Sequence, residues 1–258
     1  MDRQVLNAVR TFILALIWAA PLTQADGTAA IALRSRYRIV LAADSRAVYS
    51  AHQSTTECKL FEIRDVYATV SGLAHYGSRY RATDAIREGF AQPGSFQDHL
   101  AATAESLQRR IEKLLDSLQQ NNPGAYRSLL QRSSQPSDFV QLAVAQAVHG
   151  RPLLGLIEVR RVSAGPGLTL QTTICPGNCA RNAGIFYLGY WERIKPYVAD
   201  SGQPRAIASA AAIDRLIRME MDAHPAEVGA PINILELSGS GARWLQNGGN
   251  CSLPGVSW

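Results

Sequence analysis

From residue 29 the apolar positions fall into short, β-prone runs. Ala29 to Leu33 and Tyr37 to Ala43, separated by the polar Arg34-Ser35-Arg36, predict a hairpin. Leu60 to Ile63 and Val66 to Val70 predict a second hairpin that turns at Arg64-Asp65. The period then changes. Tyr80 to Phe90 reads as a helix, and Ser95 to Gln120 as a longer one. Ser95-Phe96-Gln97-Asp98 gives that helix a capping start before Leu100, Leu107, Leu114 and Leu118. Asn121-Asn122-Pro123-Gly124 stops it, and residues 125 to 137 are polar enough for a loop with a short helical piece. Strands are expected again at Phe139 to Gln146, Leu153 to Arg160, Leu168 to Thr173 and Ile185 to Leu188. Helices at Trp191 to Val198 and Pro204 to Ala223 follow. Ile232 to Leu237, the turn Ser238-Gly239-Ser240-Gly241 and Ala242 to Leu245 close the chain.

Strand pairs, a helical pair, strands, a second helical pair and closing strands describe an α+β protein. Tight turns between most strands make the sheets largely antiparallel. No repeat or linker interrupts residues 28–258, so one domain is expected there, with paired helices on the outer faces of the sheets.

The first 25 residues stand apart. Arg3 and Arg10 give a basic start to the apolar run Phe12 to Ala20. A membrane span needs about 20 apolar residues, and this run instead suits the core of a secretory signal peptide. Small residues allow cleavage after Ala25, with Thr23 third back, or after Gly27, with Ala25 third back. The expectation is a protein exported to the periplasm or beyond, with no stable membrane span after processing.

Composition changes this picture little. The net charge of +5 is carried almost wholly by arginine, and lysine occurs only at Lys59, Lys113 and Lys195. The positive charges are scattered rather than gathered into a stripe, which argues against a nucleic-acid partner. Four cysteines permit two disulfides in an oxidising compartment. Cys175-Pro-Gly-Asn-Cys179 closes a local loop, leaving Cys58 and Cys251 as the other candidates. Neither these cysteines nor His52, His75, His99, His149 and His224 show zinc-ligand spacing, so no metal or cofactor is expected.

The stretch that carries chemistry runs from Gly27-Thr28-Ala-Ala-Ile-Ala-Leu through Leu41-Ala-Ala-Asp44-Ser-Arg46-Ala47. Lys59 and then Ser71-Gly72-Leu73-Ala74 follow it. Here the chain resembles the proteasome β-subunit type of N-terminal-nucleophile (Ntn) hydrolase, as an exported bacterial-type member. That family begins its mature chain with threonine after a glycine. It continues with a strand ending in an Ala-Asp-Ser-Arg-Ala-like motif, a lysine on the second hairpin, and a Gly-rich turn. Asp44 lies sixteen residues after Thr28, as in the family, and Gly229-Ala-Pro-Ile-Asn-Ile-Leu-Glu-Leu with Ala242-Arg-Trp-Leu245 is similar to its closing hairpin. The resemblance implies a four-layer αββα sandwich, a peptide or small amide as substrate, and a possible homo-oligomer.

The roles it implies are physically coherent. A threonine hydroxyl needs a base, and the α-amine freed by cleavage before Thr28, with a reference pKa of about 7.7–8.0, supplies one on the same residue. Lys59 would stand beside Thr28 as a cation held by Asp44, Gly72 N–H would bind the oxyanion, and Arg46 would support the motif. The family also places serines, and an aspartate, in segments that here read Leu188-Gly189-Tyr190-Trp191 and Ala226-Glu227-Val228-Gly229. Their absence keeps a second reading open, a non-catalytic binding or assembly module with the same fold.

Overall fold

Strands β1 (Ala29–Arg34) and β2 (Arg38–Ala43) are buried along almost their whole length, a pattern that arises when both faces of a sheet are covered. The alternation of side chains divides the two faces. Ala30, Ala32, Ile39, Leu41 and Ala43 point to one core, and Ala29, Ile31, Leu33, Val40 and Ala42 to another. The computed structural model describes residues 27–50, 53–132, 138–162, 169–176, 184–200, 209–249 and 251. The expected signal peptide, residues 1–25, lies outside them.

The remaining strands are β3 (Arg46–Ser50), β4 (Gln53–Thr56), β5 (Leu60–Ile63), β6 (Val66–Gly72), β7 (His75–Tyr76), β8 (Tyr80–Arg81), β9 (Asp138–Val148), β10 (Arg151–Arg161), β11 (Leu170–Cys175), β12 (Ile185–Gly189), β13 (Asn233–Ser238) and β14 (Gly241–Gln246). One five-stranded sheet has the order β12-β1-β2-β13-β14 and a second the order β11-β10-β9-β6-β5. Every neighbouring pair in both is antiparallel.

Helices α1 (Ala82–Gly89), α2 (Phe96–Asn121) and α3 (Pro123–Arg132) cover the outer face of the second sheet, where Leu100, Leu107, Ile111 and Leu118 meet Val66, Val70, Leu142 and Val144. Helices α4 (Ile194–Asp200) and α5 (Ala210–Ala223) cover the first sheet through Ile194, Ile213, Leu216 and Ile217. Between the sheets lies a core with several alanines, among them Ala30, Ala32, Ala143 and Ala145, packed with Leu154, Leu156 and Phe186. The result is the four-layer αββα sandwich of an α+β protein.

Helix α2 begins as its sequence dictates. Ser95 Oγ accepts from Asp98 N and Asp98 Oδ2 accepts from Ser95 N, a complete capping box. Other boundaries differ from expectation. Tyr80 and Arg81 pair with His75 and Tyr76 instead of opening α1. The polar stretch after Asn122 is helical from Pro123 to Arg132, with proline in the first turn, where its missing N–H costs nothing. Helix α4 starts at Ile194 rather than Trp191, and α5 starts at Ala210, where Ser209 Oγ accepts from Ala212 N. Of the expected Pro204 start, residues 204–208 lie outside the described residues. The β3–β4 hairpin was not anticipated, because its strands are largely polar and are joined by backbone pairing.

A disulfide joins Cys58 to Cys251, across 193 residues, with Cα atoms 5.0 Å apart. Cys175 is disulfide-bonded as well; Cys179, its expected partner, lies outside the described residues. Among the described residues no helix is long and apolar enough to cross a membrane.

Candidate active site

Five strand ends meet at one edge of the sandwich: the start of β1, the ends of β2, β6 and β12, and the start of β5. The antiparallel register Ala29↔Gly189 and Ala30↔Ala43 aligns the first of these. Asp44, one residue beyond β2, is fully buried. Its Oδ1 accepts from Ala29 N at 3.0 Å and from Lys59 Nζ at 2.9 Å. Its Oδ2 accepts from Arg46 N and Gly229 N, both at 3.0 Å. A carboxylate offers about four lone-pair sites, and all four accept protein donors here.

Lys59 lies between β4 and β5 and is only 6% exposed. Its ammonium bridges Asp44 Oδ1 and the carbonyl oxygen of Gly27, the latter at 2.7 Å. Burial disfavours the cation and holds the Lys59 pKa below its ordinary value, with Asp44 opposing the shift. The sequence reading treated this lysine as a simple cation; its burial makes it a readier proton donor than a surface lysine.

Thr28, itself buried, immediately precedes β1, and its carbonyl accepts from Tyr190 N at 2.8 Å. Thr28 and Lys59 line one cavity of about 550 Å³ together with Glu57, Phe61, His75 and Arg81. Gly27 has φ +95°, and a β-carbon there would run into the Glu227 backbone and side chain. Glycine is therefore required on the acyl side of the Gly27–Thr28 bond. Gly72, at the end of β6, has φ +78°, and a β-carbon there would collide with Phe139 O. Val70 and Ala74 on either side of it line the cavity, but no hydrogen bond links Gly72 to Thr28 among the described residues.

Arg46 secures the neighbouring loop. Its guanidinium donates to Pro225 O and lies over Gly229, while Ser45 N donates to Gly229 O at 2.9 Å. The two segments without the anticipated serines are thus held by main-chain groups: Tyr190 N on Thr28, and Gly229 N on Asp44. Ser71, whose buried hydroxyl packs against Gly189, and Gln141, whose Oε1 accepts from Gly189 N at 2.8 Å, support the same corner. Sequence reasoning did not single out Glu57, His75, Arg81 or Gln141. They come from a loop, a two-residue strand pair and a central strand, and no local pattern marks them. Cys58 also lines the cavity, so the disulfide to Cys251 fastens its rim. The group of metal-ligating side chains found among the described residues, Glu192, Glu220 and His224, lies outside this cavity.

No protein-family model matches the chain, and no curated protein matches it. Among solved structures it is similar to a Gly-1 mutant of Anbu from Hyphomicrobium sp. strain MC1, with 14% identity, a TM-score of 0.49, and coverage of 82% of this chain and 83% of that one. It is also similar to Anbu, described as an ancestral beta-subunit, from Yersinia bercovieri, with 15% identity, a TM-score of 0.49, and coverage of 84% of this chain and 86% of that one.

Proposed function

We propose that this protein is a threonine-type Ntn hydrolase of an amide bond in a peptide or small acyl amide, with Thr28 as nucleophile. The observation that carries the reading is the position of Lys59, whose ammonium is shared between Asp44 Oδ1 and Gly27 O. A cation on the Gly27 carbonyl draws electrons from its carbon and prepares it for attack by the adjacent Thr28 hydroxyl. The hydroxyl oxygen forms an ester with the Gly27 carbonyl carbon, the Gly27–Thr28 amide bond breaks, and the hydroxyl proton goes to the departing nitrogen. Water then hydrolyses the ester, releasing Gly27 as a carboxylate and leaving Thr28 with a free amine.

In turnover the same groups act on a substrate carbonyl. The Thr28 amine takes the hydroxyl proton, Oγ bonds to the substrate carbonyl carbon, and the amine returns the proton to the leaving nitrogen. Gly72 N–H supplies the oxyanion donor, and water frees the acyl group. The cavity beside Thr28 is walled mainly by apolar groups, Phe61 and Val70 among them, with Glu57, His75 and Arg81 as its polar points, which favours substrates with an apolar group beside the scissile amide. The reading takes residues 1–25 as a cleaved export signal, with self-cleavage removing any Asp26-Gly27 remainder.

The test is the N-terminal residue of the mature protein, by intact mass and Edman degradation, in wild type, Thr28→Ala and Lys59→Ala. A wild type starting at Thr28, with Thr28→Ala retaining Asp26-Gly27, supports the reading. Wild type and variants all starting at Asp26 would leave Thr28 without the free α-amine that acts as base and favour the binding or assembly module. The missing serines at 188–191 and 226–229 are what keep that second reading in play.

A further inference from the structure

Outside the Thr28 cavity, a carboxylate oxygen is buried without a partner. Glu220, in the last turn of α5, is fully buried. Its Oε1 accepts from Arg193 N at 2.7 Å and Ile194 N at 2.9 Å, but its Oε2 has no hydrogen-bond partner among the described residues. That oxygen faces His224 Nε2 at 3.7 Å, beyond hydrogen-bond reach, and the same nitrogen lies 3.6 Å from Glu192 Oε2. All three ligand atoms fall within 4.8 Å of one another.

We propose that Glu192, Glu220 and His224 form a binding site for a divalent transition-metal cation of the zinc class. Carboxylates alone would suit magnesium or calcium; the His224 imidazole nitrogen is the borderline donor that turns the preference toward zinc. Ligand atoms on one tetrahedral zinc stand about 3.3 Å apart at bond lengths of about 2.0–2.1 Å. The two distances to His224 Nε2, 3.6 and 3.7 Å, need to close by only a few tenths of an ångström, and the two carboxylate oxygens, within 4.8 Å of each other, must draw together by more. Glu192 is exposed and its Oε2 also accepts from Trp191 N at 3.1 Å, whereas Glu220 is anchored through Oε1 and presents Oε2 to the group. The Tyr190 ring stacks on the His224 ring at 4.3 Å and fixes its plane. The exposed side of the group leaves a fourth position for water.

Glu220 and His224 are four residues apart across the end of α5, so one turn presents both, and Glu192 arrives from the loop after β12. The site therefore joins two segments that hold the candidate active site. Tyr190 N binds Thr28 O, and His224 O accepts the N–H groups of Glu227 and Val228 on the way to Gly229. The metal proposal stands on its own geometry and does not depend on Thr28 being a nucleophile.

The test is zinc binding to the purified protein after chelator treatment and removal of any affinity tag, followed by equilibrium dialysis and calorimetry. One zinc per chain is expected, with magnesium and calcium failing to compete. His224→Ala and Glu192→Gln alter partly or well exposed side chains and should each weaken binding at least about tenfold, the loss that removal of even an outer ligand partner causes. They keep the proposal testable if Glu220→Gln fails to fold, and X-ray absorption on the loaded protein should show one imidazole among oxygen ligands. Absence of saturable zinc binding, unchanged affinity in both variants, or binding of calcium or magnesium in preference to zinc overturns it.

Discussion

Lys59 Nζ donates a 2.7 Å hydrogen bond to the carbonyl oxygen of Gly27, whose carbon is bonded to the Thr28 nitrogen. In the proposed mechanism a lysine in that position would serve the breaking of the bond as much as the later use of the amine. Lys59→Ala and Lys59→Arg are therefore both expected to slow removal of Gly27, since a planar guanidinium does not reproduce a compact ammonium wedged between two oxygens. Amide turnover should fall about 100-fold or more in each, the scale for losing one electrostatic donor. Maturation followed by mass over time, with turnover of fluorogenic amides, checks this; a Lys59→Arg protein that matures at the wild-type rate sinks it.

Thr28→Ser keeps a hydroxyl on the same atom and should still expose residue 28, whereas Thr28→Ala should not. Far-ultraviolet circular dichroism should be the same for both, because the side chain faces the cavity rather than a core. A Thr28→Ala protein that begins at residue 28 would show that another protease makes the cut.

Under the proposed self-cleavage, Gly27→Ala should impede maturation without affecting the stability of the processed protein, from which residue 27 would be gone. Its φ of +95° and the proximity of Glu227 exclude a β-carbon. Pulse–chase labelling that finds normal conversion would mean that the residue is not held as described.

Asp44→Asn should destabilise the fold by about 3–5 kcal/mol, the usual loss when one member of a buried ion pair is removed. An amide nitrogen would also face N–H donors that now point at a carboxylate oxygen. By contrast Arg87→Ala breaks an exposed ion pair with Asp84 and should cost no more than about 1 kcal/mol. Urea melts of the two variants separate these effects; a loss below about 1 kcal/mol for Asp44→Asn contradicts the burial.

The alkaline side of the stability profile follows from the tyrosines. Burial raises the pKa of Tyr80 well above its ordinary value and, with Glu62 close by, pushes that of Tyr67 up to about 12. The folded state holds these protons after the unfolded chain has lost them. Their contribution is intact below pH of about 10 and is lost as pH rises toward 12. Tyr80→Phe should flatten that decline. It should also add about 1 kcal/mol at neutral pH, because the Tyr80 hydroxyl is buried with no hydrogen-bond partner among the described residues. Urea midpoints between pH 7 and 11.5 would show both effects, and a Tyr80→Phe protein less stable than wild type at pH 7 refutes the second.

Sequence was most informative where local chemistry sets the structure. Ser95 and Asp98 announced the start of α2, and the apolar runs of β1 and β2 announced a hairpin. Thr28, Asp44 and Lys59 could be read together only through their resemblance to a known motif; the β1–β2 hairpin is what brings the ends of the first pair back to one edge. What depends on packing between distant segments was not legible. Cys58 and Cys251 carry no pairing signal, whereas Cys175 and Cys179 invited a local loop. His75 and Arg81 reach the cavity on a strand pair too short to show a period. Glu220 looks like an ordinary helical glutamate until the loop after β12 sets two amides against one of its oxygens.

The link between Cys58 and Cys251 also imposes an order of events. Cys251 is synthesised 193 residues after Cys58, so the rim beside Lys59 stays untied until nearly every strand and helix of the sandwich exists. It is then tied only by an oxidant. In reducing surroundings the rim stays open, so covalent closure of the cavity edge is the last step of assembling this corner, not the first.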